Sequence, residues 1–191
     1  MENNNVNDGF ERLARILGDP PVPPRQVDWE SAPEGARIPY PSDYRKMVEV
    51  YGGGYFAGGL SIYTPLYSES NSGPTGFDHL IASNWEVADL MEQWYGWYPG
   101  DRPYEPYPAP NGLFAWANDC SANEFLWDTS GPDPEQWPIV MWNVHEEGFV
   151  ALGSGMADFL ASLLDRTHPL SDELIDFDSG GRLWSPPGGD L

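Results

Sequence analysis

Basic residues are nearly absent from the middle of this 191-residue chain. Between Met47 and Asp165 the sequence has one Lys or Arg, Arg102, against seventeen Asp and Glu, a formal charge of 1 − 17 = −16. Over the whole chain, nine bases and thirty acids give −21. A folded domain with this imbalance projects a negative potential that attracts cations and repels nucleic acid and anionic membranes. We therefore expect a basic protein partner, no nucleic-acid partner and no membrane partner.

Cysteine and long apolar runs are also scarce. Cys120 is the single cysteine, so no internal disulfide can form, which fits a reducing compartment. No apolar run approaches the roughly 18 residues of a membrane span. Residues 1–6 lack the basic and apolar regions of a secretory signal. We expect a cytoplasmic protein.

Patterns typical of catalytic and metal sites are missing. His79, His145 and His168 belong to no motif with metal-ligand spacing. The glycines at 52–54 lack the Lys-Ser/Thr pair of a phosphate loop, and the Gly-Ser-Gly at 153–155 lacks the lysine. We expect no metal, no cofactor and no enzymatic activity.

A carbohydrate-binding or carbohydrate-active protein is an alternative, because sugars stack on aromatic rings and paired carboxylates hydrolyse glycosides. Acids are so abundant that any fold would bring some of them together, so paired carboxylates alone are weak evidence for a glycosidase. Several tryptophans have the spacing of core residues, which favours burial instead: Trp85, Trp94, Trp116, Trp127 and Trp142.

The composition predicts a folded domain of short elements. Hydrophobic residues make up 40% of the chain, enough to offset chain entropy, while 20 prolines and 21 glycines predict many loops. Apolar periodicity predicts helices near 6–17, 42–51, 83–96 and 154–164, with Ser42, Ser83 and Ser154 as caps. Short strands are predicted at 55–56, 60–63, 113–117, 124–127, 139–143 and 149–152. The fold class is α+β: a mixed domain with a mainly antiparallel sheet flanked by helices.

Three regions follow from these patterns. Residues 1–26 form a helix and a proline-rich connector, 27–168 form the α+β domain, and 169–191 form an acidic tail. The tail is either partly disordered or a strap over the domain. Within the domain, the Tyr-Pro-rich stretch 97–110 is too proline-dense for a helix or sheet, so it predicts an ordered surface loop whose rings could bind a partner.

Short motifs occur along the chain in an order that matches a known family. It runs through Asp28-Trp29, Ile38-Pro39-Tyr40-Pro41-Ser42-Asp43-Tyr44-Arg45, Tyr51-Gly52-Gly53-Gly54, Ile62-Tyr63-Thr64-Pro65, Leu113-Phe114-Ala115-Trp116, Phe125-Leu126-Trp127, Trp137-Pro138-Ile139-Val140 and Asp158-Phe159-Leu160. Over residues 27–166 this order resembles the SUKH superfamily, the Smi/Knr-type domain. The sequence departs from the family in an inserted Tyr40-Pro41, a longer loop at 97–110 and the acidic tail.

The resemblance implies a non-enzymatic α+β domain. Bacterial members are similar to immunity proteins that neutralise a cognate toxin, often a nuclease or deaminase, and fungal members resemble cell-wall and signalling scaffolds. We assign the chain to the bacterial immunity branch. The family's motif residues are expected to hold the fold: Trp29, Tyr44, Gly52, Gly53, Trp116 and Trp127.

The predicted function is to bind and neutralise a basic cognate toxin through an acidic surface that carries aromatic rings. The predicted contact acids lie at strand ends and turns: Asp119, Glu124, Asp128, Asp133, Glu135, Glu146 and Glu147. Tyr104 and Tyr107 are the predicted aromatic anchors. We expect a monomer or a weak homo-oligomer. A regulatory scaffold of the cell-wall type remains the alternative.

Overall fold

A computed structural model describes residues 4–20, 23–52, 54–56, 59–66, 75–100, 102–143, 148–175, 177 and 183–185. Its helices are α1 (Asn4–Leu17), α2 (Ser42–Tyr51), α3 (Phe77–Trp97), α4 (Met156–Leu164) and α5 (Ser171–Leu174). Its strands are β1 (Gly54–Phe56), β2 (Leu60–Ile62), β3 (Leu113–Asp119), β4 (Asn123–Asp128), β5 (Pro138–Asn143), β6 (Gly148–Ser154) and β7 (Trp184–Ser185). These strands form one antiparallel sheet in the order β6-β5-β4-β3-β2-β1-β7. The predicted α+β class is confirmed.

Helices cover both faces of this sheet. Side chains alternate along a strand, so Phe125 and Trp127 of β4 share one face. There the Phe125 ring lies 5.9 Å from Phe159 of α4, and the Trp127 ring lies 5.0 Å from Tyr44 of α2. The opposite face carries Trp142, whose ring lies 6.4 Å from Trp94 of α3. The central strands are therefore buried between α2 and α4 on one side and α3 on the other.

The N-terminal helix packs onto α4. At their crossing, a Cβ on Gly9 would lie 2.8 Å from Cγ of Asp158, so a larger residue there would displace the Asp158 side chain. Arg12 pairs with Asp158 at 3.7 Å and also with Asp165. Phe10 and Leu13 are buried in the main core, so α1 contributes to the same hydrophobic core as the rest of the chain.

The described part of the tail acts as a strap. β7 adds to the sheet beside β1, with Trp184 opposite Phe56. The Trp184 indole is buried, and its Nε1 donates a hydrogen bond to the Tyr51 carbonyl at 3.0 Å. Among the described residues, no helix has the length and apolar character needed to cross a membrane.

Several helix ends differ from the sequence prediction. α3 begins at Phe77, and Ser83 is no cap because its hydroxyl donates to the His79 carbonyl one turn earlier. α4 begins at Met156, because Ser154 still belongs to β6. Gly52 does end α2 as predicted: at φ +79° its N–H bonds to the Val48 carbonyl at 2.8 Å.

Candidate functional site

The family motif around α2 is structural. Tyr44 is fully buried, and its hydroxyl donates to the Tyr63 carbonyl at 2.7 Å. The buried Asp43 carboxylate accepts the backbone N–H of Tyr44 at 2.7 Å and that of Ala157 at 2.9 Å. Burial raises the Asp43 pKa, although these N–H groups oppose the shift. This carboxylate therefore joins the N-terminal turns of α2 and α4, where a negative charge also suits both helix dipoles.

The other predicted motif residues agree with a structural role. Trp29, Trp116 and Trp127 are buried, and Gly52 caps α2. Gly53 lies outside the described residues. The three tryptophan side chains are therefore not available to a partner.

The predicted contact acids at the turns bind this chain's own backbone. Asp119 accepts the N–H groups of Ser121 and Asn123, both at 2.8 Å. Asp128 accepts from Ser130 at 3.0 Å, and Asp133 accepts from Glu135 at 3.1 Å. These are ordinary turn contacts.

The contact acids are also not gathered in one place. Asp119 bonds Asn123 at the start of β4, whereas Asp128 ends that strand opposite Leu113. Five steps of about 3.3 Å separate the two ends of β4 by about 17 Å. The structure thus brings Asp128 and Asp133 toward one end of the sheet and leaves Asp119 at the other.

Glu124 is a corrected prediction. Its side chain is 6% exposed, and its Oε2 accepts a hydrogen bond from the Tyr63 hydroxyl at 3.1 Å. Burial raises its pKa to about 8, with the Asp119 and Glu86 charges adding to the shift. Because α3 covers this face of the sheet, Glu124 cannot contribute to an exposed contact surface.

The remaining predicted residues are partly engaged. Both Glu135 carboxylate oxygens accept from Ser42, one from its N–H and one from its hydroxyl, each at 2.9 Å. Glu146 and Glu147 lie outside the described residues. The half-buried Tyr104 and Tyr107 rings pack 5.1 Å from Phe149 and 5.0 Å from Phe114, so only part of each ring faces solvent.

A different surface combines acids with open aromatic rings. It lies on the solvent side of α3, where Trp85 is 53% exposed, Leu90 is 44% exposed and Trp97 is 71% exposed. We call this surface the α3 outer face, formed by Trp85, Glu86, Asp89, Leu90, Glu92, Gln93 and Trp97. The expectation that Trp85 is buried is therefore wrong, whereas Trp94, Trp116, Trp127 and Trp142 are buried as predicted.

Helical spacing arranges this face in two rows. At about 100° per residue, Trp85, Asp89 and Glu92 form one row along the helix. Glu86, Leu90 and Trp97 form the neighbouring row by the same spacing. Each row therefore combines negative charge with a large apolar side chain.

The single base of the acidic stretch pairs with only one of the three acids on the α3 outer face. Arg102 pairs with Glu92 and with Glu105, the latter at 2.6 Å, and lies over the Tyr95 ring at 4.7 Å. Within the part of the chain that the structure describes, Glu86 and Asp89 form no ion pair. An exposed apolar patch rimmed by polar residues is typical of protein interaction sites.

Sequence reasoning missed this face because it counted Trp85 among the buried tryptophans. Over Phe77–Trp97, the inward positions Leu80, Val87, Met91 and Trp94 recur at steps of three, four and seven residues. Trp85 falls outside that inward series, which was the available signal, whereas Leu90 and Trp97 lie three residues after Val87 and Trp94 and flank it.

A comparison with known families identifies the scaffold. A family model described as SUKH_6, SMI1-KNR4 cell-wall, matches residues 28–160, which is more than half of the chain. No curated protein and no solved structure matches. The matched range contains α2, α3 and the strands from β1 to β6, and it ends within α4. The chain therefore belongs to the SUKH superfamily of SMI1/KNR4-type domains.

Proposed function

We propose that this protein is an immunity protein that binds and neutralises a basic cognate toxin through the α3 outer face. The observation that carries the proposal is the unbalanced charge of residues 47–165 together with open rings on α3. The one base in that stretch is engaged by Glu92 and Glu105, while Glu86, Asp89 and two exposed indoles face solvent. Membership of the SUKH superfamily supports a binding role of this kind.

Neutralisation would proceed in two steps. The negative field accelerates encounter with a cationic surface, and desolvated aromatic anchors then slow dissociation. A nuclease or deaminase that acts on nucleic acid presents Lys and Arg to phosphate groups, so an acidic surface can occupy the same site. The inhibitor needs no catalytic group, and it would meet its toxin in the cytoplasm.

A regulatory scaffold is the second candidate, because the matching family model is described as a cell-wall one. Gene position separates the two: a toxin gene immediately upstream favours immunity. A sugar-binding role has less support, since Trp85 and Trp97 are twelve residues apart, about 18 Å along the helix. They form no continuous platform for a sugar chain.

The test uses two variants with the same change in net charge. Glu86→Lys/Asp89→Lys reverses two charges on α3. Asp172→Lys/Glu173→Lys reverses two exposed charges on α5, which packs on α4 across the sheet. Stopped-flow or surface-resonance kinetics would measure association with the toxin domain encoded beside the gene at 50 and 300 mM salt.

We expect the α3 variant to lower the association rate at low salt by about tenfold or more, with a weaker salt dependence. The α5 variant should retain most of the rate. Equal losses from both variants would assign the effect to net charge alone, and unchanged kinetics in the α3 variant would contradict steering by this face.

A further inference from the structure

A groove borders the α3 outer face. It has a volume of about 300 Å³ and lies between α3, the turn at Glu34–Ala36 and the loop at 107–108. Ile81, Asn84 and Trp85 line it from α3, Tyr107 and Pro108 line it from the loop, and Glu34 and Gly35 line it from the turn. Its volume is at the lower limit for a small-molecule pocket, so it suits one or two inserted side chains.

The walls of this groove are held by contacts within the chain. A Cβ on Gly35 would lie 3.3 Å from Ile81, so the turn packs directly against α3. The Tyr107 hydroxyl donates to the Glu34 carbonyl at 3.3 Å, joining the loop to the turn. A preformed groove loses less entropy on binding than one that must be assembled.

The groove is apolar with one anionic end. Ile81, Pro108 and the exposed Trp85 ring supply apolar surface, and among the described residues no Lys or Arg lines the groove. The anionic residue is Glu34, which is exposed, lines the groove and accepts the Tyr107 hydroxyl at its backbone carbonyl. Burial and then the Glu34 charge raise the pKa of that hydroxyl. An apolar channel that leads to a carboxylate is complementary to a long aliphatic stem with a cationic head.

We propose that this groove receives an Arg or Lys side chain of the basic partner, with its stem along Ile81 and its cation between the Trp85 ring and the Glu34 carboxylate. This inference rests on the proposed function, because it takes the occupant from a cationic protein. A cation over an indole face is favourable, and the guanidinium can also donate to a carboxylate. A second copy of this chain, at −21, is a poor occupant because the two copies repel each other.

The first test needs no toxin. A peptide Ac-Gly-Arg-Gly-amide and its citrulline counterpart, which is nearly isosteric and neutral, are titrated into the intact protein while NMR records the Trp85 indole N–H. Spectra of Trp85→Phe assign that signal. We expect the arginine peptide to shift it and the citrulline peptide to bind about fivefold more weakly or not at all.

Two variants locate the site. Glu34→Gln keeps the shape of an exposed side chain and should weaken the arginine peptide about fivefold, while Trp97→Ala removes an exposed indole outside the groove and should leave binding unchanged. Equal binding of the two peptides, or no response at Trp85, would overturn the assignment.

The toxin supplies a separate measurement. If toxin binding depends on Glu86 and Asp89 but changes less than twofold in Trp85→Ala and Glu34→Gln, the groove assignment is wrong and the proposed function stands. If the toxin does not bind the wild-type protein, the proposed function fails, while the peptide titration still decides whether the groove selects a cation.

Discussion

Replacing Glu124 with glutamine should stabilise the protein at alkaline pH. Glu124 lies beneath α3, 6% exposed, with the Tyr63 hydroxyl as its hydrogen-bond donor. Burial, reinforced by the Asp119 and Glu86 charges, raises its pKa from 4.5 to about 8. The Tyr63 pKa is also raised by burial, so its hydroxyl stays protonated as a donor throughout this range.

The direction follows from which state binds the proton more tightly. Between pH 4.5 and about 8, the unfolded glutamate is ionised while the folded one remains protonated. Folding therefore takes up a proton, so the free energy of unfolding falls as pH rises through this window. Above about pH 8 the folded state contains a buried carboxylate, and the penalty is complete. At 1.36 kcal/mol per pKa unit, a rise from 4.5 to about 8 corresponds to a penalty of at most about 5 kcal/mol.

Glu124→Gln removes the titration but keeps the side-chain length and an acceptor for Tyr63. Urea denaturation followed by Trp fluorescence at pH 5, 7 and 9, at constant ionic strength, measures the free energy of unfolding. The difference in unfolding free energy between variant and wild type should be under about 1 kcal/mol at pH 5 and reach several kcal/mol in favour of the variant at pH 9. Its m-value should be unchanged.

The control is Glu173→Gln, the same substitution at an exposed site on α5. This control should raise the free energy of unfolding slightly and by nearly the same amount at each pH, because it reduces charge repulsion within the protein. Parallel stability curves for wild type and Glu124→Gln from pH 5 to 9 would refute the burial argument.

Three further substitutions test contacts that stabilise the sheet and its attachment to α3, and each is measured by urea denaturation. Asn84→Ala removes the amide that accepts from the Ala115 N–H and donates to its carbonyl, which leaves two buried backbone groups unpaired. We expect the free energy of unfolding to fall by about 2–4 kcal/mol, whereas the neighbouring Ser83→Ala should lower it by under about 1 kcal/mol. Ala122→Gly removes the backbone strain of a residue at φ +61° and should raise the free energy of unfolding by about 0.5–1 kcal/mol. A lower free energy of unfolding would contradict strain at this turn. Trp184→Ala should cost about 3–5 kcal/mol and Trp184→Phe less, because Phe fills most of the buried site but cannot donate to Tyr51; equal costs would contradict the packing contribution.

The sequence predicted the elements whose apolar pattern is local. The strands over Leu113–Asp119 and Asn123–Asp128 follow from alternating aromatics and turn residues, and α2 follows from its inward Tyr44, Met47 and Val48. Gly52 could be recognised as a cap because a left-handed residue is needed there.

Prediction failed where the outcome depended on a partner distant in sequence. Glu124 lies on a strand whose two faces are both covered, and a single strand cannot reveal whether its second face meets a helix or water. Trp184 forms a strand because it pairs with the edge strand β1, opposite Phe56, and that pairing is not visible in the local sequence. Similarly, α4 is capped across the fold by Asp43 rather than by the nearby Ser154.

The two sides of the sheet have different roles, and this difference suggests how such a domain can acquire a specific partner. The motif residues Asp43, Tyr44 and Trp127 meet on the side of α2 and α4, where each change would disturb the shared core. On the other side, α3 is fixed to the sheet from within, through the Asn84 amide and the contact between Trp94 and Trp142. Its outward residues, such as Trp85 and Asp89, are exposed, so they can vary with little cost to stability. A negative, ring-bearing face on a helix held by its inner side is thus a position where specificity can change while the fold is retained.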